Sequence, residues 1–125
     1  MQEAHDVALA TLTTMHVGGP ARRLVTAESI DDIVDAVREV DDADEPLLVV
    51  SGGSNLVISD DGFAGTVVRI ASHGVTLESG DNCGGAMVRV AAGENWDDFV
   101  ARACSEGWSG IEALSGTPGP AGAPR

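Results

Sequence analysis

Between Ser29 and Val50 the apolar positions change period twice. Ile30, Ile33, Val34, Val37 and Val40 recur at three- and four-residue spacing with polar residues between them, which predicts an amphipathic helix ending near Val40. Ser29, with an acid three positions on at Asp32, supplies its N-cap. The acidic run "DDADE", Asp41 to Glu45, reads as a solvated turn, and Pro46 opens the aliphatic run Leu47-Leu48-Val49-Val50, a buried strand. Arg22-Arg23-Leu24-Val25 ahead of the helix is a candidate strand. The three together predict a parallel pair crossed by a helix.

Past the loop "SGGSN", Ser51 to Asn55, the pattern shortens. Leu56-Val57-Ile58, Thr66 to Ile70, Val75 to Glu78 and Met87 to Val90 read as short strands parted by Gly, Asp and Asn turns. They predict a second, mostly antiparallel lobe. Asn95-Trp96-Asp97-Asp98 is another cap signature, and Trp96, Phe99, Val100, Ala103 and Cys104 form one apolar helix face stopped by Gly107. On that face Cys104 is expected to be buried and inert. The end of the chain, "SGTPGPAGAPR", is too rich in Gly and Pro for regular structure, and Pro120 to Arg125 read as a disordered tail.

Composition narrows the chemistry. In 125 residues, 43% of them hydrophobic, there is room for one compact domain or two small lobes. Twenty acids oppose seven bases, a net charge of -13 that repels nucleic acid and anionic lipid. Every base is an arginine, which excludes a lysine Schiff base or a Walker lysine. Cys83 and Cys104 form no C-x-x-C, and His5, His16 and His73 have no ligand spacing to them, so no metal site is expected. Met1 to Ala10 holds two acids and no basic-then-apolar leader, and no apolar run reaches membrane-spanning length. A soluble cytoplasmic protein is expected.

The candidate chemistry lies in the loop. Ser51, Gly52, Gly53, Ser54 and Asn55 offer consecutive backbone N–H groups, two glycines and further side-chain donors, a concavity suited to a phosphate or diphosphate. The segment after it reads as strand, so it is neither a Walker loop nor a Rossmann turn, both of which feed a helix. A tight strand connection is the other reading. Because exposed charges are screened over about 8–10 Å at physiological salt, an anion must be held here by short-range donors, without a basic side chain. Glu94, in "AAGENWDDF", either favours the positive end of the following helix or serves a ligand. Arg22 and Arg23 are either a surface pair or an anion contact. Trp96 and Trp108 read as packing residues.

Taken in order, "TTMHVGGPARRLV", "LLVVSGGSNLVISDDGFAGTVVRI", "AAGENWDDFVARACSEGWSGIEALSG" and "PGPAGA" resemble the first domain of the UDP-N-acetylenolpyruvoylglucosamine reductases. The resemblance runs from about Leu12 to Ala123. The glycine-serine-asparagine loop alone is shared more loosely by the wider vanillyl-alcohol-oxidase (PCMH) type of FAD domain. The resemblance implies an α+β, two-lobed FAD-binding domain, with a small βαβ lobe over about 12–55 and a larger mixed or antiparallel lobe over about 56–123. Residues 1–11 would be an extension and 124–125 a tail.

Carried over position by position, the resemblance implies that Ser51, Gly52, Gly53, Ser54 and Asn55 hold the FAD diphosphate, with Leu56 following as strand. Gly93 and Glu94 match the family's Gly-Glu, and Ser115, Gly116, Pro118, Gly119 and Gly122 match its segment against the cofactor. In that family NADPH reduces the flavin, which reduces UDP-N-acetylglucosamine enolpyruvate to UDP-N-acetylmuramate for peptidoglycan. The family's serine, glutamate and arginine of catalysis, and the domain that takes the UDP-sugar, fall past Arg125, so no catalytic residue is assigned. Thr117, Pro120-Ala121 and the ending "APR" depart from the family pattern. Weak FAD binding at best and no turnover are expected of these residues alone. The remaining readings are another FAD oxidoreductase of the same fold and a non-catalytic nucleotide-binding fragment.

Overall fold

The computed structural model describes residues 1–81 and 83–123. It divides into two compact units, Met1–Ser72 and His73–Arg125.

The first unit is a four-stranded mixed sheet with one helix. Its elements are β1 (Gln2–Ala8), a 3-10 turn (Leu9–Leu12), β2 (Pro20–Ala27), α1 (Ile30–Asp42), β3 (Leu47–Val50) and β4 (Phe63–Ile70). The strand order is β1-β2-β4-β3, with β1 antiparallel to β2 and the other pairs parallel. The expected parallel pair, β2 and β3, therefore does not form directly. β4 lies between them, Leu24 and Leu48 both lying beside Val67. The Thr66–Ile70 segment thus belongs to the first sheet and not to an antiparallel second lobe. The first unit is accordingly the larger, and it ends at Ser72, not near residue 55.

Strand alternation sorts the core onto two faces. Val25, Ala27 and Val68 pack under Ala36 and Ile33 of α1. Leu24, Val50 and Val67 pack on the other face with Leu9 and Ala21. Full burial of each valine or leucine among them contributes about 1.5–3 kcal/mol. Ser29 caps α1 as expected, its hydroxyl accepting from Asp32 N at 3.1 Å. The helix runs on to Asp42, so part of the acidic run is helical rather than turn. Arg22 and Arg23 are engaged by carboxylates: Arg22 pairs with Glu45 at 2.6 Å, and Arg23 with Glu3 at 2.7 Å and Glu39 at 2.9 Å.

Leu56-Val57-Ile58 forms no strand. Its alternation is real, since Leu56 and Ile58 pack onto the Leu24–Val67 face while Val57 is exposed. The run pairs with no strand, and the residue that follows it, Ser59, accepts through its carbonyl from Gly19 N at 2.8 Å.

The second unit holds the antiparallel hairpin β5 (Val75–Asp81) and β6 (Gly85–Val90), then α2 (Trp96–Ser105) and a 3-10 turn (Glu112–Leu114). Asn95 caps α2, accepting from Asp98 N at 3.0 Å. Phe99, Val100 and Ala103 are buried and Trp96 packs against Phe99 in a tilted arrangement with ring centroids 5.7 Å apart. Cys104 is exposed, against expectation. At about 100° per residue it sits roughly 90° around the helix from the middle of the buried stripe. Among the described residues no helix is long and apolar enough to cross a membrane.

Candidate anion site in the glycine loop

β3 feeds the loop at Ser51, and β4 beside it and β2 beyond run the same way. The crevice beyond the carboxyl ends of parallel strands is where such sheets take ligands. Gly53 is at φ +65°, and a Cβ there would lie 1.9 Å from the Leu12 carbonyl oxygen. Only glycine lets the loop lie this close to the Leu9–Leu12 turn. Thr14 N donates to Gly53 O at 3.0 Å, fixing the contact. Gly53 therefore has a packing duty whatever else it does.

The loop and the turn border an open, shallow cavity of about 280 Å³. Thr11, Leu12, Thr13 and Thr14 line one part and Ser51, Gly52 and Arg69 the rest. Two of the threonines donate inward to their own chain, Thr11 to Ala8 O at 2.9 Å and Thr13 to Val17 O at 3.1 Å. Ser51 does not: its Oγ is buried with no hydrogen-bond partner. A buried hydroxyl left unpaired costs about 1–3 kcal/mol, and such an orphan in a native fold calls for an explanation. Among the described residues, the amides of Gly52, Gly53, Ser54 and Asn55 also donate no hydrogen bond. Of these residues Ser51 and Gly52 line the cavity, and no carboxylate does. Its volume falls just under the usual range for whole small-molecule pockets, about 300–1,000 Å³, and suits a diphosphate better than a complete dinucleotide.

Leu56, expected as part of a strand beyond the loop, is half-buried against the core. Arg69, on β4 beside Val50, was missed from sequence. The available signal was its alternation: two residues on from buried Val67, it carries a charge on the apolar face.

The other predicted residues lie in the second unit, where two segments are cross-braced. Residues 115–122 run beside 91–97 through Trp96 N to Gly119 O at 3.0 Å, Ala121 N to Glu94 O at 2.7 Å and Gly122 N to Ala92 O at 2.8 Å. Asp97 accepts from Gly116 N at 2.6 Å. Pro120 to Ala123 are therefore fixed, not a loose tail, while Pro124 and Arg125 fall outside the described residues. A Cβ on Gly122 would come within 2.8 Å of Ala92 Cβ, so the close approach requires glycine. Glu94 does not serve the helix end. Its carboxylate accepts from Gly74 N at 2.8 Å and lies 3.8 Å from His73 Nδ1. The amides of Ser115, Gly116 and Gly122 are all engaged internally, and Pro118 has none. This segment can offer a ligand bare backbone surface but few donors.

A larger cavity, about 660 Å³, lies between the hairpin and α2. It shares no residue with the predicted sites, and the carboxylates of Asp81 and Glu106 line it. It is unsuited to an anion.

A family model described as "FAD binding domain" matches residues 21–124. The UDP-N-acetylenolpyruvoylglucosamine reductase of Streptomyces avermitilis is 54% identical over 98% of this chain and 32% of its own length. That of Cutibacterium acnes is 54% identical over 91% of this chain and 30% of its own. The crystal structure of UDP-N-acetylenolpyruvylglucosamine reductase from Thermus caldophilus superposes with a TM-score of 0.64 at 29% identity, covering 95% of this chain and 38% of that one. The chain spans about a third of the length of these relatives.

Proposed function

This chain belongs to the FAD-binding domain family, and on that premise we propose that Ser51, Gly52, Gly53, Ser54 and Asn55 grip the diphosphate of FAD through main-chain amides, with the Ser51 hydroxyl as an added donor. The buried, unpartnered Ser51 Oγ carries this reading. A diphosphate oxygen would be the acceptor it lacks once the side chain turns toward the cavity that Ser51 lines, and the unengaged amides beside it are the same kind of donor. Leu56 seats the loop on the core. Gly93, Glu94, Ser115, Gly116, Pro118, Gly119 and Gly122 give the cofactor a wall of bare, hydrogen-bonded backbone. Glu94 holds that wall's register through Gly74 and Ala121.

The whole protein would be a UDP-N-acetylenolpyruvoylglucosamine reductase, taking NADPH as donor and converting UDP-N-acetylglucosamine enolpyruvate to UDP-N-acetylmuramate. When bound, FAD supplies the hydride transfer between the two. The present residues contribute cofactor binding, and the UDP-sugar is handled by parts of the enzyme to which none of them corresponds. That activity belongs to cytoplasmic peptidoglycan synthesis, hence to cell-wall biogenesis, cell shape and division.

Titrating the 125-residue chain with FAD, followed by flavin fluorescence, tests the reading. Weak binding is expected, with no NADPH oxidation on adding the enolpyruvyl sugar. Ser51→Ala should raise Kd about ten- to a hundredfold, since a hydrogen bond to a charged group is worth about 1.5–3 kcal/mol. An unchanged Kd for that variant would remove the basis of the reading. ADP binding as tight as FAD would favour a nucleotide-binding fragment with no redox part.

A further inference from the structure

We propose that Arg69 is the cationic contact of the loop cavity, pairing its guanidinium with the diphosphate that the loop amides hold. The proposal deepens the reading above and rests on the cavity being the diphosphate site.

Three observations converge on it. In a chain with 20 acids, the cavity is lined by an arginine and by no carboxylate. Arg69 has no ion pair and no side-chain hydrogen bond among the described residues, although Arg22 and Arg23, on the neighbouring strand, are each held by glutamates. Arg69 also projects from the same face of β4 as buried Val67, beside Val50, the residue that precedes Ser51.

Charge explains why such a residue matters here. A net charge of -13 gives a doubly charged ligand no long-range attraction. Neutral amides and one hydroxyl provide geometry, but a guanidinium provides a planar pair of N–H donors matched to phosphate oxygens. An arginine left without a carboxylate in so acidic a molecule keeps that fork available. The loop's own composition implies an anion held without any basic side chain, and Arg69 amends that expectation.

The test is a two-dimensional NMR titration of the 125-residue chain with inorganic pyrophosphate, reading the amides of residues 51–55 and the Arg69 Nε–H signal. Both sets should shift together with one Kd. Arg69→Gln should raise that Kd about ten- to a hundredfold and flatten its salt dependence, while Arg69→Lys, which keeps the charge but not the fork, should fall between. Arg69 is exposed and makes no side-chain contact to another described polar group, so these variants are expected to fold. If one does not, the other and the wild-type Nε–H signal still decide. Loop amides that shift without Arg69, or an unchanged Kd in Arg69→Gln, would overturn the role of Arg69 and leave the diphosphate site standing. No shift in the loop amides, whether or not Arg69 responds, would overturn both.

Discussion

Ser51 and Gly53 divide the work of the loop between ligand and scaffold. Ser51 keeps a buried hydroxyl unpaired, a local cost that a bound anion would relieve. Gly53 keeps the loop against the Leu12 carbonyl, where a side chain has neither space nor the right φ. The two substitutions should therefore separate. Ser51→Ala should leave urea stability unchanged or slightly higher, because removing an unsatisfied buried hydroxyl deletes its desolvation penalty. Gly53→Ala should cost on the order of 2–4 kcal/mol, from the left-handed φ and the clash with main chain. Urea denaturation of both variants checks this, and equal effects would contradict the division. The exposed Cys83 and Cys104 give a third residue-scale expectation. Both thiols should react with a thiol reagent such as DTNB in the folded chain without denaturant.

At the scale of elements, β1 is held to the sheet by its ladder with β2 and by Arg23, which joins Glu3 of β1 to Glu39 of α1. The hydrogen bond from Arg23 holds the Glu3 carboxyl below its ordinary value. Asp32 is lowered likewise, its carboxylate accepting from Glu28 N at the start of α1. A carboxyl depressed in the folded state stabilises it fully above the unfolded pKa and loses that contribution as pH falls through the folded one. Acidification through and below the ordinary carboxylate range should thus raise hydrogen exchange in β1 and the first turn of α1 before that in β4. Simultaneous exposure of all three would argue against it.

These elements also show what sequence could reveal. Both helix caps were legible because Ser29 and Asn95 act within three residues of themselves. β1 was not, since its residues are almost all exposed and carry no alternation; pairing with β2 makes it a strand. Leu56 to Ile58 had the alternation without a partner edge, so the same signal misled. The insertion of β4 between β2 and β3 is a long-range pairing that no local pattern encodes. Of the candidate site, the loop was visible in its composition, whereas Arg69 reaches it only through that pairing.

At the scale of the whole molecule, the two units differ in what supports them. The first has four strands, a helix and two buried aliphatic clusters. The second has a two-stranded hairpin, most of whose residues are exposed, and one ten-residue helix. Isolated two-stranded hairpins are marginal in water, so β5 and β6 amides should exchange faster than those of β2 and β4, by local opening below the global unfolding free energy. Equal protection across both units, measured by mass spectrometry, would contradict this ranking. It would also follow that anion binding stabilises the first unit most, since the cavity is built wholly from residues of that unit.

The central claim is that main-chain amides of residues 51–55, with the Ser51 hydroxyl, hold the cofactor's diphosphate. A crystal structure of the chain grown with FAD tests it most directly. The account predicts diphosphate oxygens within hydrogen-bond distance, about 2.7–3.2 Å, of the loop amides and of Ser51 Oγ. A bound dinucleotide whose diphosphate lies elsewhere, with Ser51 Oγ still unpaired, would contradict it.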